Sequence, residues 1–511
     1  MMRRTTLLGL ATALAIAAPA AAQKSKDTLR YPGQNTQSTL DSYLAPSSFS
    51  NIWEPSVFNN LLGFDPAKGQ HTPLLVKSWS HPDPKTYELE LRDDVTWHDG
   101  QKFSADDVVY TLTYLIDPAV RLRFKQNWGW LRSVEKLSPT KVRITSDAPV
   151  PDGLAWLSFG TPMLPRHLHE PLADKQSFGA RPIGTGPYRL VQLDKNTGII
   201  AERYAGFKSG PASPEPAIGR IVSEPIDDPG ALIASLLADR VDAVVDVPIE
   251  EALALQKTGR FVVMLAPPRL GYIFMQFPTA AWPKVKPLAD VRVRKAIMMS
   301  IDRKVLLESV YGELSKEMEP TEALCAKEQL GCGYTISVPA YDPAAARKLL
   351  VEAGYADGFD VTINAYRDNL DDATAISGMV RKIGISMNVR TIHASQRQKS
   401  VNSGDVEIGY FGWSGGNLFA VGPQIVRHFQ TGEYQSMEAD LTKLVAPIST
   451  IVDDGERRKA AAKAFDFMTE NALAYATVPN REVFTMTKEV GILRPNDLRP
   501  SQISPHEFVW K

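Results

Sequence analysis

The stretch Arg181-Pro182-Ile183-Gly184-Thr185-Gly186-Pro187-Tyr188-Arg189-Leu190 leaves its backbone little choice. Prolines on either side of two glycines fix a tight, irregular turn around Thr185. The alternation Tyr188, Leu190, Gln192 then starts a strand. The turn reads as the place where the chain re-enters a lobe that it left earlier.

Around this turn the hydrophobic pattern divides the chain. Thr28 to Tyr31 is a short strand, and Pro46, Ser47 and Ser48 interrupt an otherwise helical Leu40 to Asn60. Tyr87, Leu89 and Leu91 alternate over a strand that Asp99-Gly100 turns back. Ser104 caps a helix whose Val108, Val109, Leu112, Leu115 and Ile116 share one face, and Asp117-Pro118 stops it. Lys141 to Thr145 is a further strand, so Phe64 to Ala180 reads as one α+β insert. After Tyr188 strand, helix and strand follow in succession, with Asp228-Pro229 opening a helix and Val241 to Val247 a strand, which suggests an α/β sheet. Ala266-Pro267-Pro268-Arg269 and Val478-Pro479-Asn480 break the pattern and read as two hinges. Between them Asp302, Asp342 and Asp371 start helices, with strands at Asp360 to Asn364, Ile385 to Ile392 and Val406 to Phe411.

Two further stretches accompany the turn: Trp97-His98-Asp99-Gly100-Gln101-Lys102-Phe103-Ser104-Ala105-Asp106-Asp107-Val108-Val109-Tyr110 upstream and Asp290-Val291-Arg292-Val293-Arg294-Lys295-Ala296-Ile297 downstream. In this order and spacing, from about Thr28 to about Arg499, the chain resembles the family 5 extracytoplasmic solute-binding proteins of ABC transporters, the peptide, opine and nickel group. The resemblance implies an α/β fold of the type II periplasmic-binding-protein kind, a clamshell of two hinged lobes with an extra α+β insert domain. The expected division is a signal peptide over 1–22, lobe I over 23–63, 181–266 and 480–511, the insert over 64–180, and lobe III over 267–479.

The first residues agree with an exported protein. Arg3 and Arg4 precede an apolar run from Leu7 to Ala18 and a small-residue stretch, Pro19-Ala20-Ala21-Ala22, which is the pattern of a cleaved leader. The run falls short of the ~20 residues that span a bilayer. No cysteine lies near the cleavage site, so a lipoprotein is not expected, and the periplasm is the expected compartment. Removing Arg3 and Arg4 takes the net charge from −1 to −3, which leaves no basic field for nucleic acid. The two cysteines, Cys325 and Cys332, can close a disulfide worth ~2–3 kcal/mol in an oxidising space, or stand as free thiols; their spacing is not that of a metal or redox site.

For chemistry, Gly412-Trp413-Ser414-Gly415-Gly416 matches the nucleophile elbow of serine hydrolases, but only His428 and His506 follow it. His167-Leu168-His169 lacks a third metal ligand. No catalytic residue, metal or cofactor is therefore expected. The resemblance instead places Trp413, Ser414, Gly416 and Asn417 in a loop on the ligand cleft, with Trp413 as an aromatic wall or, alternatively, a core residue. Peptide-binding members carry an aspartate at the position of Gly416, where it pairs with the peptide ammonium; here Glu433 or Asp405 would have to substitute. Arg367 falls where peptide binders have a ligand-facing arginine, and Ser47, Ser48 and Asn51 align with an early contact loop. Arg123 and Trp128, with Arg121 and Trp130, mix cationic forks with aromatic faces suited to a carboxylate or an aromatic ligand, although such a group is also consistent with a solvated surface.

The expectation is a monomeric, non-enzymatic binding component that traps a small solute, peptide-like, opine-like, sugar or metal chelate, and delivers it to the permease subunits of an importer with cytoplasmic ATPases. A secreted hydrolase using Ser414, or a periplasmic chaperone or receptor on the same scaffold, are the competing readings.

Overall fold

The computed structural model describes residues 27–511 except 34–35, 66–67, 124, 246, 267–271, 326, 328, 334–337, 394–395, 414–419, 422–438, 480 and 494–502. The expected hinge residues Pro267 to Arg269 and Asn480 lie outside the described set.

The Gly-Thr-Gly turn is a point of close backbone contact. A side chain at Gly184 would place Cβ 1.9 Å from the Val57 carbonyl oxygen, and one at Gly186 would place it 2.6 Å from the Val57 carbonyl carbon. The Gly186 amide donates to Val57 O at 2.9 Å, and the Thr185 hydroxyl donates to Asn59 Oδ1 at 3.1 Å. The upstream stretch closes on the same turn through His98. Its amide donates to Gly184 O at 2.9 Å, its Nε2 to Gly186 O at 2.9 Å, and its Nδ1 accepts from the Gly184 amide at 3.2 Å. Both ring nitrogens are thus satisfied only in the neutral imidazole. Burial pushes the His98 pKa down to about 4, against the opposing pull of the Gly186 carbonyl.

From this junction the chain builds two lobes. Thr28–Arg30, Arg220–Ser223, Gly198–Arg203 and Tyr188–Asp194 form one sheet in that order, with only the first pair parallel. The segment after Tyr188 begins with a hairpin, because Asp194 to Thr197 fold back on the Asp194 carboxylate, and the expected helix and strand follow it at Pro229–Leu237 and Ala243–Val245. The insert carries the antiparallel sheet Val76–Asp83, Thr86–Leu91, Lys141–Ser146, Leu131–Ser138. Its helix, Ala105–Ile116, is held by the Ser104 and Asp107 capping box and packs on the last two of those strands.

A five-stranded sheet runs Ser386–Thr391, Asp360–Ala365, Ile408–Trp413, Tyr272–Gln276, Ala474–Pro479. The first three strands are parallel and the others antiparallel to their neighbours. Helices capped by Asp290, Asp302 and Asp342 cover it; the next begins at Leu370 after Asn369, which places Asp371 within its first turn instead of at its cap. A three-stranded sheet, Ala243–Val245, Val483–Thr487, Phe261–Leu265 in that order, connects with the five-stranded one twice, side by side. Phe261–Leu265 and Val483–Thr487 pair in one sheet, and their continuations Tyr272–Gln276 and Ala474–Pro479 pair in the other. At the crossing the Ala266 amide donates to Glu482 O at 2.7 Å and Arg481 Nε donates to Ala266 O at 2.9 Å. Two adjacent crossings between sheets form a hinge. Cys325 and Cys332 are joined in a disulfide.

Two consequences are measurable. Gly184→Ala forces a methyl into the Val57 backbone, and urea unfolding will show a loss at the upper end of the ~1–3 kcal/mol that overpacking costs. The contribution of neutral His98 is present above pH 6.5 and lost as pH falls toward about 4, because the unfolded chain takes up the proton first. Buried Glu54, pushed up to about 7, works in the opposite direction, so the diagnostic is a difference between proteins. The stability advantage of wild type over His98→Gln will shrink between pH 6.5 and 4; an advantage independent of pH contradicts the assignment.

Candidate ligand-binding cleft

In open α/β sheets ligands bind beyond the carboxyl ends of the parallel strands, where the loops diverge. Asp360–Ala365 and Ile408–Trp413 are neighbouring parallel strands, with Ala365 opposite Tyr410. Both end at the same edge, which brings the segment Tyr366-Arg367 beside the end of the strand that carries Trp413. Arg367 is exposed in a short 3-10 turn, Arg367–Asn369. The Tyr366 ring lies 4.9 Å from that of Phe411. The Arg397 guanidinium lies 5.9 Å from the Tyr366 ring and 5.8 Å from that of Phe411, and its Nη1 donates to the Tyr366 hydroxyl at 2.5 Å. This buried cation braces an aromatic wall. Neither Arg397 nor the wall was legible from sequence: the helix bearing Arg397 spans only Arg397–Asn402, too short for periodicity, and the single cue was Tyr366 preceding Arg367.

A second group gathers around Tyr43. Ser47 caps the helix Ser48–Val57 by accepting from the Ser50 amide at 3.2 Å, and Asn51 is half-buried in its first turn. The Arg123 amide donates to Tyr43 O at 3.3 Å and its Nη1 to Pro46 O at 2.9 Å. Trp128 is buried, edge-on to Tyr43 at 6.1 Å and tilted on Trp156 at 6.3 Å. Ser47, Asn51, Arg123 and Trp128 therefore belong to one cluster, in which Trp128 backs the loop from within and Arg123 holds it from outside.

Ser414, Gly416 and Asn417 lie outside the described residues, as do Glu433 and His428, and nothing is described of the side chains of Ser48 and Trp413. Asp405 is engaged elsewhere: Lys284 Nζ donates to it at 2.8 Å and the Ser403 hydroxyl at 2.6 Å, and the lysine holds its carboxyl below the usual range. His506 Nδ1 sits 3.1 Å from the Ser56 hydroxyl. The two histidines of the His167-Leu168-His169 pair face separate partners, Asp99 at 2.6 Å and the Tyr110 hydroxyl at 2.5 Å.

Residues 70–431, well over half of the chain, match the family model described as bacterial extracellular solute-binding proteins, family 5 Middle. The glutathione-binding protein GsiB of Pectobacterium atrosepticum is 26% identical over 490 residues, which cover 91% of this chain and 90% of that protein. Among solved structures, NikA from Brucella suis in complex with Fe(III)-EDTA superposes with a TM-score of 0.82 at 19% identity, over 95% of this chain and 100% of that one. NikZ from Campylobacter jejuni in complex with Ni(L-His) does so with a TM-score of 0.78 at 23% identity, over 95% and 99%. The fold is that of type II periplasmic binding proteins, with two hinged lobes.

Proposed function

The chain belongs to the family 5 bacterial extracellular solute-binding proteins, which pass small solutes to ABC importers, and on that premise we propose that its solute is a peptide-like anion. The observation that carries this reading is the placement of Arg367 at the carboxyl end of the parallel strands, beside an aromatic wall that a second arginine, Arg397, braces. A guanidinium fork matches a carboxylate in two parallel hydrogen bonds, which a neutral sugar cannot reproduce. Where peptide binders have an aspartate this chain has Gly416, so the ammonium end of the solute has no fixed partner there, and Asp405 is spent on Lys284. Recognition then rests on the carboxylate end. The glutathione-binding relative supports the same class.

In this reading lobe I comprises 23–63, 181–266 and 480–511, the insert 64–180 and lobe III 267–479. Arg367 and Trp413 present the solute from lobe III, while Ser47, Ser48, Asn51 and Arg123 meet it from the other side, with Trp128 behind them; Ser414, Gly416 and Asn417 complete the loop after Trp413. Contact with both sides only on closure shifts the open-closed equilibrium by the differential affinity of the solute. No covalent step is involved, and Ser414 is not a nucleophile. The leader over 1–22 is cleaved, and the mature monomer works in the periplasm.

The test is a thermal-shift screen of residues 23–511, refolded to strip bound solute, against glutathione, dipeptides, opines, sugars and nickel-histidine. A solute at a hundredfold excess over Kd raises stability by about 2.7 kcal/mol. The expected result is stabilisation by anionic peptides, and a loss of about ten- to a hundredfold in affinity in Arg367→Ala, which removes a charge-assisted contact of ~1.5–3 kcal/mol. Stabilisation by sugars alone, or an Arg367→Ala protein that binds as wild type does, refutes the proposal.

A further inference from the structure

Away from the candidate site, one buried ion pair joins two parts of the chain that no local element connects. Arg457 Nη1 donates to Asp152 Oδ1 at 3.0 Å, across 305 residues, and the two side chains are 6% and 4% exposed. Asp152 precedes the short helix Gly153–Ser158 of the insert; Arg457 stands in the first turn of Asp454–Glu470, which packs on the five-stranded sheet side. The helix end is itself fixed. Arg457 Nη2 donates to Asp454 at 2.8 Å, Arg458 Nε to the same carboxylate at 2.6 Å, and Arg458 Nη1 to Cys332 O at 2.9 Å. The disulfide loop seats against it so closely that a Cβ at Gly331 would lie 2.8 Å from Arg457 Nε.

An apolar contact surrounds the pair. Ala155 of the insert is buried in one cluster with Leu324, Cys325, Ala461 and Phe465, and Phe64 and Phe159 pack against it. The same cluster reaches Phe411, the ring beneath Tyr366 in the candidate cleft. A buried ion pair is a poor static fastening, since desolvation offsets most of its attraction, and here Asp152 Oδ2 and Arg457 Nε are buried without a hydrogen bond among the described residues. Both charges regain water when the two sides part. The closed contact is therefore favoured by a small remaining electrostatic margin together with the apolar patch, which is the energetic profile of a contact that forms and breaks.

We propose that Asp152 and Arg457, with the apolar patch around Ala155, form a ligand-independent latch that draws the insert onto lobe III, so that the solute supplies only part of the free energy of closure. This rests on the hinged-lobe reading above. The mutual orientation of the pair sets which closed arrangement is reached, because only one registers both charges with each other.

The test compares ligand-free wild type, Asp152→Asn, Arg457→Gln, the double variant and Arg458→Gln by small-angle scattering, with folding checked by a cooperative melt. The expected result is an upward shift in radius of gyration in each single variant, no further expansion in the double variant, and wild-type dimensions in Arg458→Gln, whose side chain does not reach Asp152. Wild-type dimensions in Asp152→Asn and Arg457→Gln overturn the latch and leave the pair a fixed part of the fold. Should a single variant fail to fold, the double variant, which leaves no uncompensated buried charge, decides alone: expansion supports the latch and unchanged dimensions refute it. A protein that binds no peptide-like anion refutes the function proposed above and leaves this ligand-free comparison intact.

Discussion

The structure depends first on the approach of two backbones at Val57. A turn with side chains at 184 and 186 cannot lie against that carbonyl, and without that contact the His98 imidazole loses its partners on the turn. Three segments far apart in sequence, the end of the helix Ser48–Val57, the stretch beginning at Trp97 and the strand from Tyr188, are brought into register by hydrogen bonds that involve mostly main chain. Such a junction fixes geometry without specifying cargo, so neighbouring loops are free to diverge around it.

The hinge expresses the same economy. Two crossings side by side permit rotation about one axis while resisting twist, because a rotation that separates them breaks the bonds between Ala266, Arg481 and Glu482. The hydroxyl of Tyr311 lies 3.2 Å from Pro479 O and 3.3 Å from Arg481 O, which ties one crossing to the helix Arg303–Tyr311. Tyr272 pairs with Trp413 on one side and Pro479 on the other, so the crossings adjoin the edge of the sheet at which Trp413 stands.

Much of this architecture was legible in the sequence, and the boundary of legibility is physical. Capping residues act on amides two or three positions away, so Ser104, Asp228, Asp302 and Asp342 announced their helices within a residue or two. Strands covered on one face, such as Thr86–Leu91, carried their alternation openly. The strands Val76–Asp83 and Leu131–Ser138 did not, since they are largely exposed and interrupted by bulges that break the period. The candidate cleft was legible only where the family motif marked single positions. The bracing of Tyr366 by Arg397 and the pairing of Asp152 with Arg457 join residues whose proximity is set by packing, and no local pattern encodes such pairs.

The order of strands in the three-stranded sheet has a consequence for how the molecule is made. Val483–Thr487 lies between Ala243–Val245 and Phe261–Leu265, and those two never pair with each other. A chain that emerges from its amino end must hold both outer strands, with their open edges, until more than two hundred further residues have followed. That sheet closes only across a loop of this length, and non-local pairings of this kind form slowly. Until then the two outer strands present unpaired edges to other chains, and they gain their shared neighbour only from the carboxyl-terminal segment.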